Sequence, residues 1–351
     1  MRFWFVAGLS LFAFSVALPP DSRAGDADVV RPTTVFSGPE KYENHPAGAL
    51  TSRKQVNADS FSQSSANIKF ERELDFKVGN GFFRRLWVSA PASTRASDGL
   101  GPLYNARSCQ RCHLKDGRGH PPAANFPDDN AISMLMRLSI PPQNENQRAA
   151  LASGRADAIP DPVYGGQLQD FAIQGHKAEG RIHIAYTEVP VSLAGGETVM
   201  LRKPVYSITD PGYGAPHPDL MMSPRVAPQM IGLGLLEAIP ANDIVALADP
   251  DDRDGDGISG KPNRVWSDSL NRLALGRFGW KAGKATIPDQ TAAAFAGDIG
   301  ISTPLHPQGY GDCTSRQPLC REAPTGNTDQ HDGVEASQKV LDLVAYYSRN
   351  L

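Results

Sequence analysis

Residues 107–113 read RSCQRCH and contain the spacing C-x-x-C-H. On a helix, residues three and four apart share a face, so Cys109 and Cys112 would lie on the same side as His113. Two thiols at this spacing can form thioether bonds with the two vinyl groups of one haem, and the imidazole can then bind the iron. The stretch predicts one covalent haem c, attached at Cys109 and Cys112, with His113 as an axial ligand.

Two other chemistries use a C-x-x-C pair, namely a redox-active disulfide and half of a zinc site. Zinc would need two more ligands at comparable spacing, but the remaining cysteines, Cys313 and Cys320, lie far along the chain with a different spacing. A redox pair does not need the histidine that follows. Haem attachment is therefore the favoured interpretation.

The ligand on the other side of the iron stays open. His120 follows His113 too closely to cross to the far face, and the position could also be vacant or held by a tyrosine. This matters because peroxide reduction needs an open or openable position. On distance grounds the remaining candidates are Met134, Met136, His176, His183, Met200, His217, Met221, Met222, Met230 and His306.

A second cluster of functional residues is the acidic stretch 249–258, DPDDRDGDGI, with five carboxylates in its first eight residues. Asp252, Asp254 and Asp256, followed by Gly257, match the opening D-x-D-x-D-G of a calcium loop, and the carbonyl of Ile258 can serve as a further ligand. The closing position holds Asn263 in place of glutamate. A solvated acidic turn is the alternative, since Asp and Gly also form turns readily.

The first 24 residues are typical of a signal peptide, with Arg2, an apolar run from Phe3 to Leu18, and small residues before a cut after Ala24. A membrane anchor is the alternative, but this run is shorter than the roughly 20 residues that a span needs. We expect a periplasmic protein, in which Cys313 and Cys320 form a disulfide that pins a short loop.

The composition is that of a globular protein. The 351 residues are 40% hydrophobic and 21% charged, which excludes a disordered polyelectrolyte. The net charge of −3 argues against nucleic acid as the main partner. No apolar stretch after the signal approaches membrane-spanning length.

We expect an extended arm over 25–75, followed by a mainly α, cytochrome c-like haem domain over 76–351 with long loops. Alternation at Ile182, Ile184 and Tyr186 predicts a small antiparallel β insert at about 164–210. Apolar spacing and caps predict helices at 82–88, 103–113, 228–238, 242–248, 288–296 and 340–351.

Six separated stretches carry a family resemblance: GNGFFRRLWVSAPAS (79–93), DGLGPLYNARSCQRCHLKDGRGHPP (98–122), YGGQLQDFAI (164–173), SPRVAPQMIGLGLLEAI (223–239), DRDGDGISGKPNRVW (252–266) and GRFGWKAG (276–283). They resemble the di-haem oxidoreductases, which are related to bacterial di-haem cytochrome c peroxidases. The resemblance implies that one haem relays electrons from a small redox donor while another meets peroxide. It also assigns Cys109, Cys112 and His113 to the N-terminal haem.

The sequence departs from that family in one respect, since family members carry a second C-x-x-C-H in a C-terminal domain and this chain has one. We expect either a fragment or a one-haem variant. The final helix would then leave an apolar stripe, Val340, Val344, Tyr347 and Leu351, exposed for self-association or for a second domain. Three functions follow: a peroxidase-like oxidoreductase, a single-haem electron carrier without catalysis, and an exported structural domain without haem.

Overall fold

The computed structural model describes residues 34, 36–40, 43–52, 54, 56–129 and 132–351. The chain divides into two units, residues 1–46 and 47–351, and every helix and strand described below belongs to the second. The expected signal peptide, residues 1–24, lies outside the described residues. The expected arm, residues 25–75, is described in part, and its last residues already belong to the first helix.

Helices and strands are interspersed along residues 47–351. The helices are α1 (Phe70–Arg84), α2 (Cys109–Cys112), α3 (Glu145–Ala152), α4 (Leu233–Ala238), α5 (Ala241–Ala246), α6 (Ile287–Ala294), α7 (Pro318–Arg321) and α8 (Gln338–Arg349). The strands are β1 (Val88–Ser89), β2 (Asp98–Leu100), β3 (Leu103–Tyr104), β4 (Met134–Ser139), β5 (Phe171–Ala172), β6 (Arg181–Ser192), β7 (Thr198–Thr209), β8 (Met221–Val226), β9 (Arg264–Ser267) and β10 (Arg272–Leu275).

The strands pair into five two-stranded ladders within the described part of the chain. The β1–β2 pair is parallel, whereas β3–β5, β4–β8, β6–β7 and β9–β10 are antiparallel. The expected β insert is present as the long β6–β7 hairpin, which turns at residues 193–197. The β4–β8 ladder joins segments that are far apart in sequence, and it was not predicted.

The expectation of a mainly α, cytochrome c-like fold is wrong, because the described residues are only 27% helical and 21% strand, and the helices are short. Residues 103–113 show the physical reason. Leu103 and Tyr104 pair with Ala172 and Phe171, so a helix cannot begin there, and helical structure is confined to α2. Hydrogen-bond partners that are distant in sequence override a local helical pattern.

The main core forms where α1 packs against α8. Gly79 of α1 permits close approach, since a Cβ built there would lie 2.8 Å from the Cβ of Tyr347. Phe76 and Phe83 of α1 pack against Tyr347, with ring centroids 4.8 and 5.3 Å apart. Val344 and Tyr347 are buried, and Val340 and Leu351 pack against the same core. The expectation of an exposed apolar stripe at 340–351 is therefore wrong.

A search of the described residues for a helix with the length and apolar character of a membrane span finds none. Helices predicted at 228–238, 242–248 and 288–296 correspond to α4, α5 and α6, each with shorter bounds, and the helix predicted at 340–351 corresponds to α8, which begins and ends two residues earlier. The helix predicted at 82–88 is the end of α1, which stops at Arg84. Trp87 is buried just beyond it.

Candidate functional site

The C-x-x-C-H motif forms the short helix α2 and the residue after it. Ser108 precedes the helix, and the His113 amide donates to the Cys109 carbonyl at 3.0 Å. Cys109 and Cys112 are free thiols, and both line one cleft together with His113. The structure therefore brings the three residues of the motif to one cavity.

The His113 imidazole is oriented by a backbone carbonyl. Its Nδ1 lies 2.7 Å from the carbonyl oxygen of Pro228, and since a carbonyl can only accept, Nδ1 carries the hydrogen. Burial lowers the pKa of His113, which favours the neutral ring. Nε2 is then the nitrogen with a free lone pair. A histidine that donates its other N–H to a carbonyl has the arrangement usual for a metal ligand.

Backbone hydrogen bonds bring the Pro228 segment to the motif. The Gly119 amide donates to the Ala227 carbonyl and the Met230 amide donates to the Asp116 carbonyl, both at 2.9 Å. Lys115 and Asp116 have φ values of 54° and 62°, so the chain turns sharply after His113. Among the sixth-ligand candidates, Met230 lines the cleft, whereas Met134 and Met136 are buried on the opposite face of β4.

The cleft has the lining of a cofactor site, and it is open to solvent on one side. Apolar walls come from Phe83, Phe278, Ile287 and Val344, and a few polar groups converge on it, as in most cofactor pockets. An amphipathic group with an apolar body and a polar edge fits this lining.

The two thiols are poor candidates for a redox or zinc site. Burial, and next the negative charge of Asp298, raises the pKa of Cys109 to about 12, and burial raises the pKa of Cys112 as well. A redox-active cysteine or a zinc ligand needs a readily formed thiolate. The described residues also gather no group of three or more metal-ligating side chains around these thiols. Neutral thiols are compatible with addition to vinyl groups.

Asp298, which sequence reasoning missed, joins this cleft to a buried polar chain. Its Oδ1 accepts from Gln167 Nε2 at 2.9 Å, and the same amide donates to Asn105 Oδ1. Asn105 in turn donates to Asp170 Oδ1 at 2.7 Å. Gln167 and Asp170 lie in YGGQLQDFAI, so the family motif was the available signal for this chain of hydrogen bonds.

A second buried polar cluster lies next to the motif. Asp116 Oδ2 accepts from Ser62 Oγ at 2.6 Å, and the Tyr347 hydroxyl lies within electrostatic range of the same carboxyl. Asn80 of α1 donates to the Tyr347 oxygen. Burial raises the pKa of both Asp116 and Tyr347. The cluster ties the turn after His113 to α1 and α8.

The acidic loop brings its three predicted ligands together. Asp252, Asp254 and Asp256 can each place one carboxylate oxygen within 4.8 Å of the others. The carboxylate of Asp256 accepts from the Ile258 amide at 2.7 Å. The amide of Asn263 donates to the carbonyls of residues 281 and 282, so its side chain is engaged outside the loop.

Cys313 and Cys320 lie at disulfide distance, with their Cα atoms 6.1 Å apart. Both are buried and form a small core cluster with Leu103. A link here would hold residues 313–320 against β3, not merely pin a surface loop.

Comparison with known proteins identifies one family. A family model described as "Di-haem oxidoreductase, putative peroxidase" matches residues 44–351. No curated protein and no solved structure matches the chain. The matched range includes the motif, the Pro228 segment and the whole cleft.

Proposed function

Because the chain belongs to the di-haem oxidoreductase family, we propose that it is an exported c-type haem protein that transfers electrons in peroxidase-like chemistry. Its acceptor would be a peroxide or a related molecule. The observation that carries this proposal is the neutral His113, held by the Pro228 carbonyl in a cleft that two free thiols also line. That donor set fits a covalent haem.

Each residue then has a defined role. Cys109 and Cys112 would hold the haem through thioether bonds, and His113 Nε2 would bind its iron. Pro228 fixes the tautomer and orientation of the imidazole, while the apolar walls limit access of water. When bound, haem supplies reversible electron transfer at iron.

The surface around the motif supports an electron donor with negative charge. Residues 84–118 contain seven Lys or Arg and two Asp or Glu, although the whole chain has 35 and 38. The two acids, Asp98 and Asp116, are buried. The exposed cations are Arg84, Arg95, Arg107, Arg111, Lys115 and Arg118, of which Lys115 forms an ion pair with Asp59. Such a surface steers an acidic partner toward the haem edge.

A second function, a single-haem electron carrier, is favoured by the presence of one C-x-x-C-H in the sequence. The two functions differ at the iron. A carrier should be six-coordinate and low-spin, whereas a peroxide site should be at least partly high-spin.

The test is expression with c-type cytochrome maturation, followed by haem staining of a denaturing gel and a pyridine haemochrome assay. We expect one haem per chain, with staining abolished by the double substitution of Cys109 and Cys112 by Ala. Ser108→Ala is the matched control and should stain normally. His113→Ala should retain some haem but change the Soret band. Staining that survives the double substitution would contradict the assignment.

A further inference from the structure

Two arginines lie close together on one wall of the cleft. In the β4–β8 ladder, Leu135 pairs with Arg225 and Arg137 pairs with Ser223. Arg137 and Arg225 are therefore diagonal neighbours on the same face, at a separation that long side chains can cross. Both line the cleft.

Strand alternation explains why they face the cleft. Met134, Met136 and Leu138 of β4 are buried on the far face. Since successive side chains point to opposite faces, Leu135 and Arg137 lie on the near one. This places two cations on a wall whose other side is hydrophobic core.

The charges of these arginines are at most partly neutralised by described residues. Among the described ion pairs, none involves either guanidinium. Arg225 Nε donates to Ser223 Oγ at 3.1 Å, and burial, then the charge of Arg137, lowers the pKa of Arg225. Asp312 is within electrostatic range of Arg137 but accepts from two backbone amides. Two like charges on one wall are stabilised by an anion.

We propose that Arg137 and Arg225 bind the propionate carboxylates of the haem, an inference that rests on the proposed function. A guanidinium presents a planar fork of donors that matches a carboxylate. Two guanidinium groups would pair with two carboxylates, so the positive charges of the two arginines would be balanced.

The direction of β4 agrees with this assignment. Cys112 Sγ donates to the Ile132 carbonyl at 3.2 Å, so the strand approaches the cleft beside the attachment point. Arg137 follows Ile132 by five residues, a span of at most about 18 Å. Vinyl and propionate groups occupy opposite edges of a haem. The carboxylate of Asp298 lies within electrostatic range of both thiols. Propionates would therefore be repelled at the edge of the cleft where the thiols lie.

The test uses the haem-loaded protein with Arg137→Gln, Arg225→Gln and the double variant. We expect the propionate bending bands of the resonance Raman spectrum to shift in each single variant and further in the double variant. The reduction midpoint should fall, because a lost positive charge favours the oxidised iron. Arg225→Lys should restore the midpoint but only part of the Raman shift, since lysine keeps the charge and loses the fork. Arg202→Gln, on the β6–β7 hairpin, is the control and should change neither.

Unchanged Raman bands in a double variant that carries its haem would overturn the proposal and leave the proposed function standing. A wild-type chain that acquires no haem would overturn both. A free carboxylate from solution could bind the two arginines in place of a propionate, so wild-type protein is also titrated with acetate. We expect no saturable change in the Soret band. A saturable change that is lost in the double variant would mean that the arginines are open to a free anion, and it would overturn the proposal.

Discussion

The carboxyl groups of the half-buried Asp170 and the buried Glu179 ionise with difficulty. Burial raises the pKa of Asp170 to about 7 and that of Glu179 to about 8. Hydrogen bonds from Asn105 to Asp170 and from Gln317 to Glu179 act in the opposite direction, but they are too weak to cancel desolvation. At mildly acid pH both groups are therefore largely neutral in the folded protein.

Asp170→Asn should reduce the pH dependence of stability. The folded pKa of Asp170, about 7, is above its ordinary value of 3.8, so the folded state holds a proton that the unfolded state releases. The contribution of Asp170 to stability is therefore largest at acid pH and falls by up to about 1.4 kcal/mol per pH unit between about pH 4 and 7. Urea unfolding from pH 4.5 to 7.5 measures this slope. The exposed Glu188→Gln variant should keep the wild-type slope, and an unchanged slope in Asp170→Asn would contradict the assignment.

At the scale of elements, the close contact of α1 with α8 organises the core beside the motif. A Cβ at Gly79 would meet Tyr347 Cβ and, closer still, the Leu343 carbonyl oxygen. Two residues along the same helix, Gly81 is exposed and a Cβ there would meet nothing within 4 Å. The two glycines provide a matched test of this packing.

Gly79→Ala should destabilise the fold by about 1–3 kcal/mol, since α1 and α8 must separate to admit the methyl group. Gly81→Ala should be neutral or stabilise by up to about 1 kcal/mol, because alanine is the better helix former. Thermal and urea unfolding of the two variants measure the difference. If the two variants are equally stable, α1 and α8 are packed less closely than the structure indicates.

The acidic loop is the other element with a specific expectation. We propose that Asp252, Asp254 and Asp256 hold a structural Ca²⁺, which would raise stability by about 2.7 kcal/mol at 100 times its dissociation constant. The melting temperature should rise between excess chelator and millimolar Ca²⁺. Asp254→Asn should diminish this rise, whereas Asp251→Asn, outside the triad, should preserve it. If Ca²⁺ does not change the melting temperature of the wild-type protein, the acidic stretch is a solvated turn and not a calcium site.

At the scale of the whole molecule, the uneven charge distribution is the main feature. The chain as a whole is slightly acidic, with a net charge of −3, yet the exposed charged residues of the stretch 84–118 are all basic. Exposed charges steer reactants over several ångströms, and salt screens this effect. Electron exchange should therefore depend on the sign of the donor's charge.

The rate of haem reduction by the anion hexacyanoferrate(II) should fall by about tenfold as ionic strength rises from 10 to 200 mM. Reduction by the cation hexaammineruthenium(II) should instead become faster with salt. Arg111→Glu should weaken the first dependence, and Arg202→Gln should leave it intact. Stopped-flow measurements of the reduction rate test this prediction. If the rates with both donors depend on salt in the same way, the docking surface is not basic.

The sequence by itself determined the features that depend on neighbouring residues. Cys109, Cys112 and His113 share one face because the helical repeat places them there. The β6–β7 hairpin follows from alternation around Gly195 and Gly196, and the final helix follows from its apolar spacing. The family motifs also marked the segments that line the cleft, although they did not indicate how these segments meet.

Only the tertiary structure decided which distant groups meet this local motif. The contact of His113 with the Pro228 carbonyl spans 115 positions, and the pairing of β4 with β8 brings Arg137 beside Arg225. The same is true of Leu103 and Tyr104, which form a strand because their partners lie at 171–172. Such contacts depend on packing and on satisfying buried hydrogen bonds across the whole chain, which no local pattern of residues encodes.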